Sequence, residues 1–343
     1  MTTPIQDQWN YSETIAAWFE QHYDLGCVRE VARMGDASWN TVWSVATVVD
    51  RFILRMSGPW KVAESVAFEH ELMRFMRKAL PCVPMPIASR SGETVAQWNG
   101  RVVSVFEWRP GVCDGNINTS QCFRAGRTLA EIHRRGSTWP RDYQRPRART
   151  VLDFDWTANH TWRWTELLEE MHRSARRSAP AGRGVAVVIG FEHIQLLERD
   201  RLLCMAFVER WRRAASVGVV HGDYQPRNVL FTGDDVSAVV DWDDCRLECR
   251  EFECAQFLWQ FGRGSREVLP RAELIAAMAE GYSVVLPGYW PDRDVLAEFL
   301  RCHLLRQALF SISASVRGVQ LSSAYDDEAA AAISCLNRGV AVP

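Results

Sequence analysis

The run His221-Gly222-Asp223-Tyr224-Gln225-Pro226-Arg227-Asn228, followed by Val239-Val240-Asp241-Trp242-Asp243-Asp244, decides how this chain of 343 residues is read. One aspartate stands five residues before an asparagine, and another stands thirteen residues after it. Short apolar runs flank them: Val217 to Val220, Val229 to Phe231 and Val236 to Val240, the last two joined by the turn-forming Thr232-Gly233-Asp234-Asp235. Polar residues beside short strands are presented by loops on a rigid scaffold, where chemistry concentrates. Phosphoryl transfer needs such a set. A carboxylate orients an acceptor hydroxyl and takes its proton, while a neutral amide and a second carboxylate hold the metal that bridges the phosphates. An amide oxygen beside a carboxylate suits hard Mg²⁺, which keeps several waters and takes few protein ligands. Turn capping would explain Asp223 and Asn228, but it does not require Asp241 after a second buried strand.

Upstream, Val42 to Met56 is rich in β-branched and aromatic residues and is broken at Asp50-Arg51, which predicts two paired strands. Val62, Val66, Leu72, Met73, Met76 and Leu80 then fall at helical spacing before Pro81, Pro84 and Pro86 stop the pattern. Asn99-Gly100 between two further apolar runs predicts a type I′ hairpin. The first hundred residues therefore read as a sheet with one helix. After Pro110-Gly111 the texture becomes helical, with candidate helices at Ser120 to Arg135, Thr161 to Arg177, Glu192 to Ala215, Ala272 to Val285 and Asp294 to Val316. The fold class is α+β and bilobal, with an N-terminal nucleotide-binding lobe over 1–107 and a larger, mainly α catalytic and acceptor-binding lobe over 108–343.

These residues resemble the aminoglycoside phosphotransferase family, which takes in homoserine, choline and methylthioribose kinases and shares the protein-kinase fold. HGDYQPRN followed by VVDWDD carries the likeness, which covers most of the chain. It implies Asp223 as catalytic base, His221 and Arg227 as its companions in the catalytic loop, Asn228 and Asp241 as metal ligands, and Asp243 as a helper. His221 is expected to hold the loop by hydrogen bonds. Phe52 to Met56 looks like the strand whose basic residue contacts the triphosphate, and Ala67 to Met73 like the helix with its acidic partner, so Arg55 and Glu69 would form the positioning ion pair. Protein kinases use lysine where Arg55 stands, yet a guanidinium also clamps phosphate. Lys61 is a second candidate for that contact. Gly35 and Ser38, in Gly35 to Asn40, would offer backbone N–H groups to phosphate, although the loop lacks GxGxxG. Val103 to Gly111 looks like the hinge, with Phe106 behind the purine and the backbone of Glu107 and Arg109 meeting it. Gly126 to His133 resembles the helix after the hinge and reads as core, and Glu253 stands where the family has an aspartate, as a structural tie.

The implied cofactors are ATP or GTP with Mg²⁺, and the implied partner is a small-molecule hydroxyl acceptor, used by a monomer or homodimer. A net charge of −2 leaves no basic field for nucleic acid, even though only Lys61 and Lys78 of the 40 basic residues are lysines. No apolar run of membrane length and no targeting segment is evident, so no membrane partner is expected and the cytoplasm is the expected location. The ten cysteines form no CxxC pair and read as reduced, mostly buried thiols. Neither a DFG nor an APE signature supports a protein kinase. Residues 121–180 hold 12 arginines against seven acids, and residues 241–343 hold 15 acids against ten arginines. Asp243, Asp244, Glu248 and Glu251 would draw an amine-bearing acceptor, which favours a sugar-containing or aminoglycoside-like antibiotic. A metabolic kinase of the homoserine or choline type and a silent nucleotide-binding pseudokinase are the alternatives.

Overall fold

Alternation along Thr41–Thr47 (β2) turns Trp43 and Val45 to one buried face. Arg51–Met56 (β3) pairs antiparallel with it, Val42 opposite Arg55 and Ser44 opposite Ile53. The computed structural model describes residues 8–34, 40–113, 115–146, 150–153, 164–176, 191–263, 270–316 and 323–342. Gly35, Ser38 and Trp39, on which the expected phosphate loop depends, lie outside them. The chain divides into two units, Met1–Val112 with Ser237–Asp243, and Cys113–Val236 with Asp244–Pro343.

The first unit holds a five-stranded antiparallel sheet in the order β1-β2-β3-β5-β4, where β1 is Val28–Arg33, β4 Ala96–Trp98 and β5 Arg101–Glu107. The β4–β5 turn has positive φ at both Asn99 and Gly100 (49° and 72°), as its sequence predicts. Gln8–His22 (α1) was not expected, and it gives this unit two helices in place of one. Its Ile15, Trp18 and Phe19 share a core with Trp43, Val45, Phe52, Leu54, Trp98 and Val105. Trp43 and Trp98 are therefore packing residues. Ala63–Arg77 (α2) buries Val66, Phe68, Leu72, Met73 and Met76 on the apolar stripe seen in the sequence, and it buries Glu69 with them.

The second unit is mainly helical. Thr119–Gly136 (α3) starts with a capping box in which Asn118 accepts from the N–H of Gln121 at 2.8 Å and donates its own N–H to the Gln121 side chain at 3.1 Å. Ala272–Val285 (α7) crosses α3 so closely that a Cβ on Gly126 would lie 2.4 Å from the Met278 carbonyl oxygen. Trp164–Arg176 (α4), Phe191–Trp211 (α5), Arg250–Gly262 (α6), Arg293–Val316 (α8) and Ser323–Arg338 (α9) are the other α-helices among the described residues of this unit. α6 is buried almost all round, which its apolar residues Phe252, Phe257, Leu258, Trp259 and Phe261, spread around the helix, explain. Val217–Val220 (β6) pairs antiparallel with Arg246–Cys249 (β9), and Val229–Thr232 (β7) precedes Asp235–Val239 (β8), along which the chain returns to the first unit. All ten cysteines are free thiols, and only Cys27 and Cys113 are exposed.

Candidate active site

In the first unit Arg55 projects from β3 and Glu69 from α2, and they meet in a bidentate pair with both N–H···O distances 2.8 Å. Both are buried, so little water screens their attraction. Burial alone would lower the proton affinity of Arg55, but Glu69, then Asp243 and Asp241, raise it well beyond the ordinary arginine value. The ring of Phe106 lies 4.9 Å from the guanidinium carbon and stands edge-on to His70 at 5.4 Å. Phe106 thus floors the ion pair.

Asp241 follows β8 with φ +59°, a left-handed backbone that a non-glycine residue adopts only when its surroundings hold it there. Its carboxylate remains 43% exposed, with Oδ1 3.9 Å from Arg55 Nη1. Asp243 is held very differently. Lys61 Nζ lies 3.1 Å from its Oδ2 and donates to its backbone carbonyl at 2.8 Å, while Asn40 Nδ2 donates to the same Oδ2 at 2.9 Å. Burial pushes the Asp243 carboxyl up, yet Lys61 and Arg55 hold it below the ordinary aspartate value. The expected helper at the metal is in this structure an internal ion-pair partner, and Lys61 is committed to it.

The segment assigned to the hinge is built from side-chain ties. The Glu107 carboxylate accepts from Arg77 at 2.8 Å and from the Met85 N–H at 3.3 Å, and the Glu107 N–H donates back to the Met85 carbonyl at 3.0 Å. Arg109 donates through its side chain to the Pro81 carbonyl.

In the second unit the loop after β6 carries Asp223, whose Oδ2 accepts from Gln225 Nε2 at 2.5 Å and from Asn228 Nδ2 at 2.8 Å. Asn228 also donates to the Asp223 carbonyl at 2.9 Å. Asp223 Oδ1 takes no hydrogen bond among the described residues. Burial, then the charge of Asp244, raises the Asp223 carboxyl above its ordinary value, and Arg227, His221 and Gln225 offset only part of that. His221 accepts the Asp223 N–H at Nδ1 (3.3 Å), which is the loop-holding role its sequence context implied. Arg227 is exposed and acts on Asp223 through charge alone.

The loop is anchored from beneath. Glu253 on α6 accepts the N–H of Gly222 at 2.5 Å and that of His221 at 3.3 Å, and it accepts from His133 Nε2 on α3 at 2.8 Å. His133 is fixed in turn by the Tyr282 hydroxyl at 2.8 Å. Burial would raise the Glu253 carboxyl, but His133 and the loop N–H groups hold it below the ordinary value. At Gly222 φ is +87° and a Cβ would stand 2.2 Å from the Asp244 carbonyl oxygen, so only glycine fits.

Glu248 and Glu251 do not form an acceptor surface. Glu248 is fully buried and accepts from the N–H groups of Val151 and Cys249 and from Arg246, and Glu251 is buried as well. Of the acidic residues expected to draw an amine, only Asp244 is exposed, with Arg145 at 3.5 Å. The sequence missed Gln225 and Asn40 as partners of Asp223 and Asp243, since neither residue type is diagnostic by itself.

One unit is a five-stranded antiparallel sheet with a buried Arg–Glu pair, and the other is helical with an anchored loop that presents aspartate, glutamine and asparagine; each by itself has the make-up of a kinase-like phosphotransferase. The comparisons with known proteins agree. The model of the phosphotransferase enzyme family matches residues 31–299, and the chain belongs to that family. It is a small-molecule phosphotransferase acting on a hydroxyl. A homoserine kinase of Methylocella silvestris is 25% identical over 301 residues, 87% of this chain and 84% of the relative. Among solved structures, a spectinomycin phosphotransferase with ADP and spectinomycin superposes with a TM-score of 0.68 at 12% identity over 98% of both chains. A microcompartment-associated aminopropanol kinase gives 0.66 at 20% identity over 95% of this chain and 97% of that one. These neighbours share the protein-kinase-like fold.

Proposed function

We propose that this protein transfers the γ-phosphoryl group of ATP, with Mg²⁺, to a hydroxyl of a small amine- or amino-acid-like metabolite, and that Asp223 is the base. The observation that carries this reading is the Asp223 carboxylate, with one oxygen fixed by Gln225 and Asn228 and the other open, and with a proton affinity raised above that of an ordinary aspartate. A base of raised pKa accepts a proton near neutral pH better than an ordinary carboxylate does. Its fixed oxygen sets the direction in which the open one meets a hydroxyl.

The residues suit a hard divalent cation. Asn228 commits its NH₂ group to Asp223 and leaves Oδ1 as a neutral oxygen donor, and Asp241 offers an exposed carboxylate. Mg²⁺ brought with the nucleotide would neutralise phosphate charge. Arg55, held rigid by Glu69, is assigned to the triphosphate. Glu107 and Arg109 are assigned to the purine through their backbone groups, with the Glu107 N–H already committed to Met85.

A metabolite is favoured over a polycationic antibiotic because Glu248 and Glu251, which would have drawn amines, are buried. The homoserine kinase likeness over most of both chains supports the same choice. The test is nucleotide consumption by the full chain over a panel of homoserine, choline, amino alcohols, spectinomycin and aminoglycosides, with ATP and with GTP. Turnover of a small metabolite at kcat/KM at least about tenfold above any antibiotic supports the reading, and the reverse order restores the resistance assignment.

A further inference from the structure

The three arginines of α8 are placed differently. Arg293 donates to the Val342 carbonyl, and Arg301 meets the buried Asp200 at 2.5 Å. Arg306 is half-buried and has no hydrogen-bond or ion-pair partner among the described residues. A guanidinium carries five N–H donors, and those of Arg306 meet no protein acceptor among the described residues.

Arg246, Asp244, Glu248 and Asp223 are among the charged groups whose fields reach Arg306. None of these carboxylates pairs with it. Glu248 is taken by Arg246 and two backbone N–H groups, Asp223 Oδ2 by Gln225 and Asn228, and Asp244 lies 3.5 Å from Arg145. Arg246 adds a second positive charge, itself locked to Glu248 and to the Asp244 carbonyl at 3.0 Å. Among the described residues, two cations that act on the proposed base have no protein partner: Arg227, which is exposed, and Arg306, which is half-buried.

We propose that Arg306 binds a carboxylate on the acceptor whose hydroxyl meets Asp223, so that the enzyme selects hydroxy acids and hydroxy amino acids over plain amino alcohols. This rests on the phosphoryl-transfer reading above. The ligand chemistry is anionic, and a phosphate of the nucleotide is the other source of it. A planar guanidinium matches either group bidentately.

The experiment uses the full chain with MgATP and measures initial rates on L-homoserine, 4-hydroxybutanoate and 3-aminopropan-1-ol for the parent, Arg306→Met and Arg306→Lys. The first and third acceptors differ by the carboxylate alone. The parent is expected to favour the carboxylate-bearing acceptors. Arg306→Met should raise their KM on the order of 10- to 100-fold and collapse the homoserine to aminopropanol preference, with the nucleotide KM unchanged as a sign of intact folding. Arg306→Lys should recover part of the preference, since it restores a point charge without the fork. Equal homoserine KM in the parent and Arg306→Met overturns the proposal, as does a parent that prefers 3-aminopropan-1-ol. A rise in nucleotide KM instead of acceptor KM also overturns it and assigns Arg306 to phosphate. In each of these cases turnover persists and the kinase reading stands, whereas absence of turnover with every alcohol removes both.

Discussion

In the first unit Arg55, Glu69, Lys61 and Asp243 neutralise one another across 2.8 to 3.1 Å, whereas in the second the Asp223 carboxylate is held by the neutral amides of Gln225 and Asn228. The same side chain responds in opposite directions: Asp243 is held below the ordinary aspartate value by Lys61 and Arg55 against burial, and Asp223 is raised by burial and Asp244. Two carboxylates whose environments push them apart take different work. Paired charges make a platform that stays ionised and fixed. Amide-held charge keeps an affinity for protons, which a general base needs.

The largest effect is expected at Asp241, the exposed acid that follows β8 in the first unit. Asp241→Ala should lower kcat/KM by a factor on the order of 10³ or more and abolish the magnesium dependence of ATP binding, read by titrating nucleotide affinity against metal. An unchanged metal dependence would transfer the role away from Asp241. In the second unit, Gly222→Ala forces a Cβ against the Asp244 carbonyl at a positive φ, and denaturant unfolding should show a loss of about 2–4 kcal/mol. Wild-type stability in this variant would mean that the loop is not clamped as described.

Glu253→Gln separates anchoring from chemistry, because the amide cannot accept from Gly222, His221 and His133 as the carboxylate does. A loss of about 1–3 kcal/mol in stability is expected, with reduced turnover and an unaltered nucleotide KM. A changed nucleotide KM with full stability would contradict the anchoring role.

The smallest expected effect is one of pH, and it touches both units alike. Burial, then Arg55 and Arg74, pushes His70 down to about 3, and burial, then Arg306 and Arg263, does the same to His303. Unfolded histidine titrates near ~6.5, so the neutral folded forms contribute fully above that pH, and the contribution is lost as pH falls from there toward the folded values. Each adds a slope of up to about 1.4 kcal/mol per pH unit. His70→Asn should reduce the drop in unfolding free energy between pH 6.5 and 5, and a drop in this variant equal to that of the parent would show that the His70 ring is not held neutral.

The sequence read most clearly where local chemistry sets structure. Asn99-Gly100 fixes a hairpin through its own backbone preference and α2 shows its apolar stripe, whereas the Arg55–Glu69 pair was implied by the likeness of that strand and helix to those of the family. The catalytic-loop motif is likewise compact in sequence, and the reading of Glu253 as a tie came from the resemblance, since it stands where the family has an aspartate. What stayed hidden depends on distant partners. α1 lacks an N-terminal signal and shows its purpose only against Trp98 and Phe52. α6 has no polar face to reveal its period. Glu248 looked like an acceptor-site acid until Arg246 and the Val151 N–H, 97 positions away, were seen to consume it. Arg306 is one arginine among many in sequence, and only the structure shows it half-buried without a partner among the described residues.

The central claim is that Asp223 is the proton acceptor of a phosphoryl transfer. Asp223→Asn keeps the shape of the loop and removes the base, so kcat and MgATP affinity should be measured side by side in this variant and the parent. The account predicts a fall in kcat by a factor on the order of 10² to 10⁴ with MgATP affinity within about twofold of the parent. A kcat within about tenfold of the parent would contradict it.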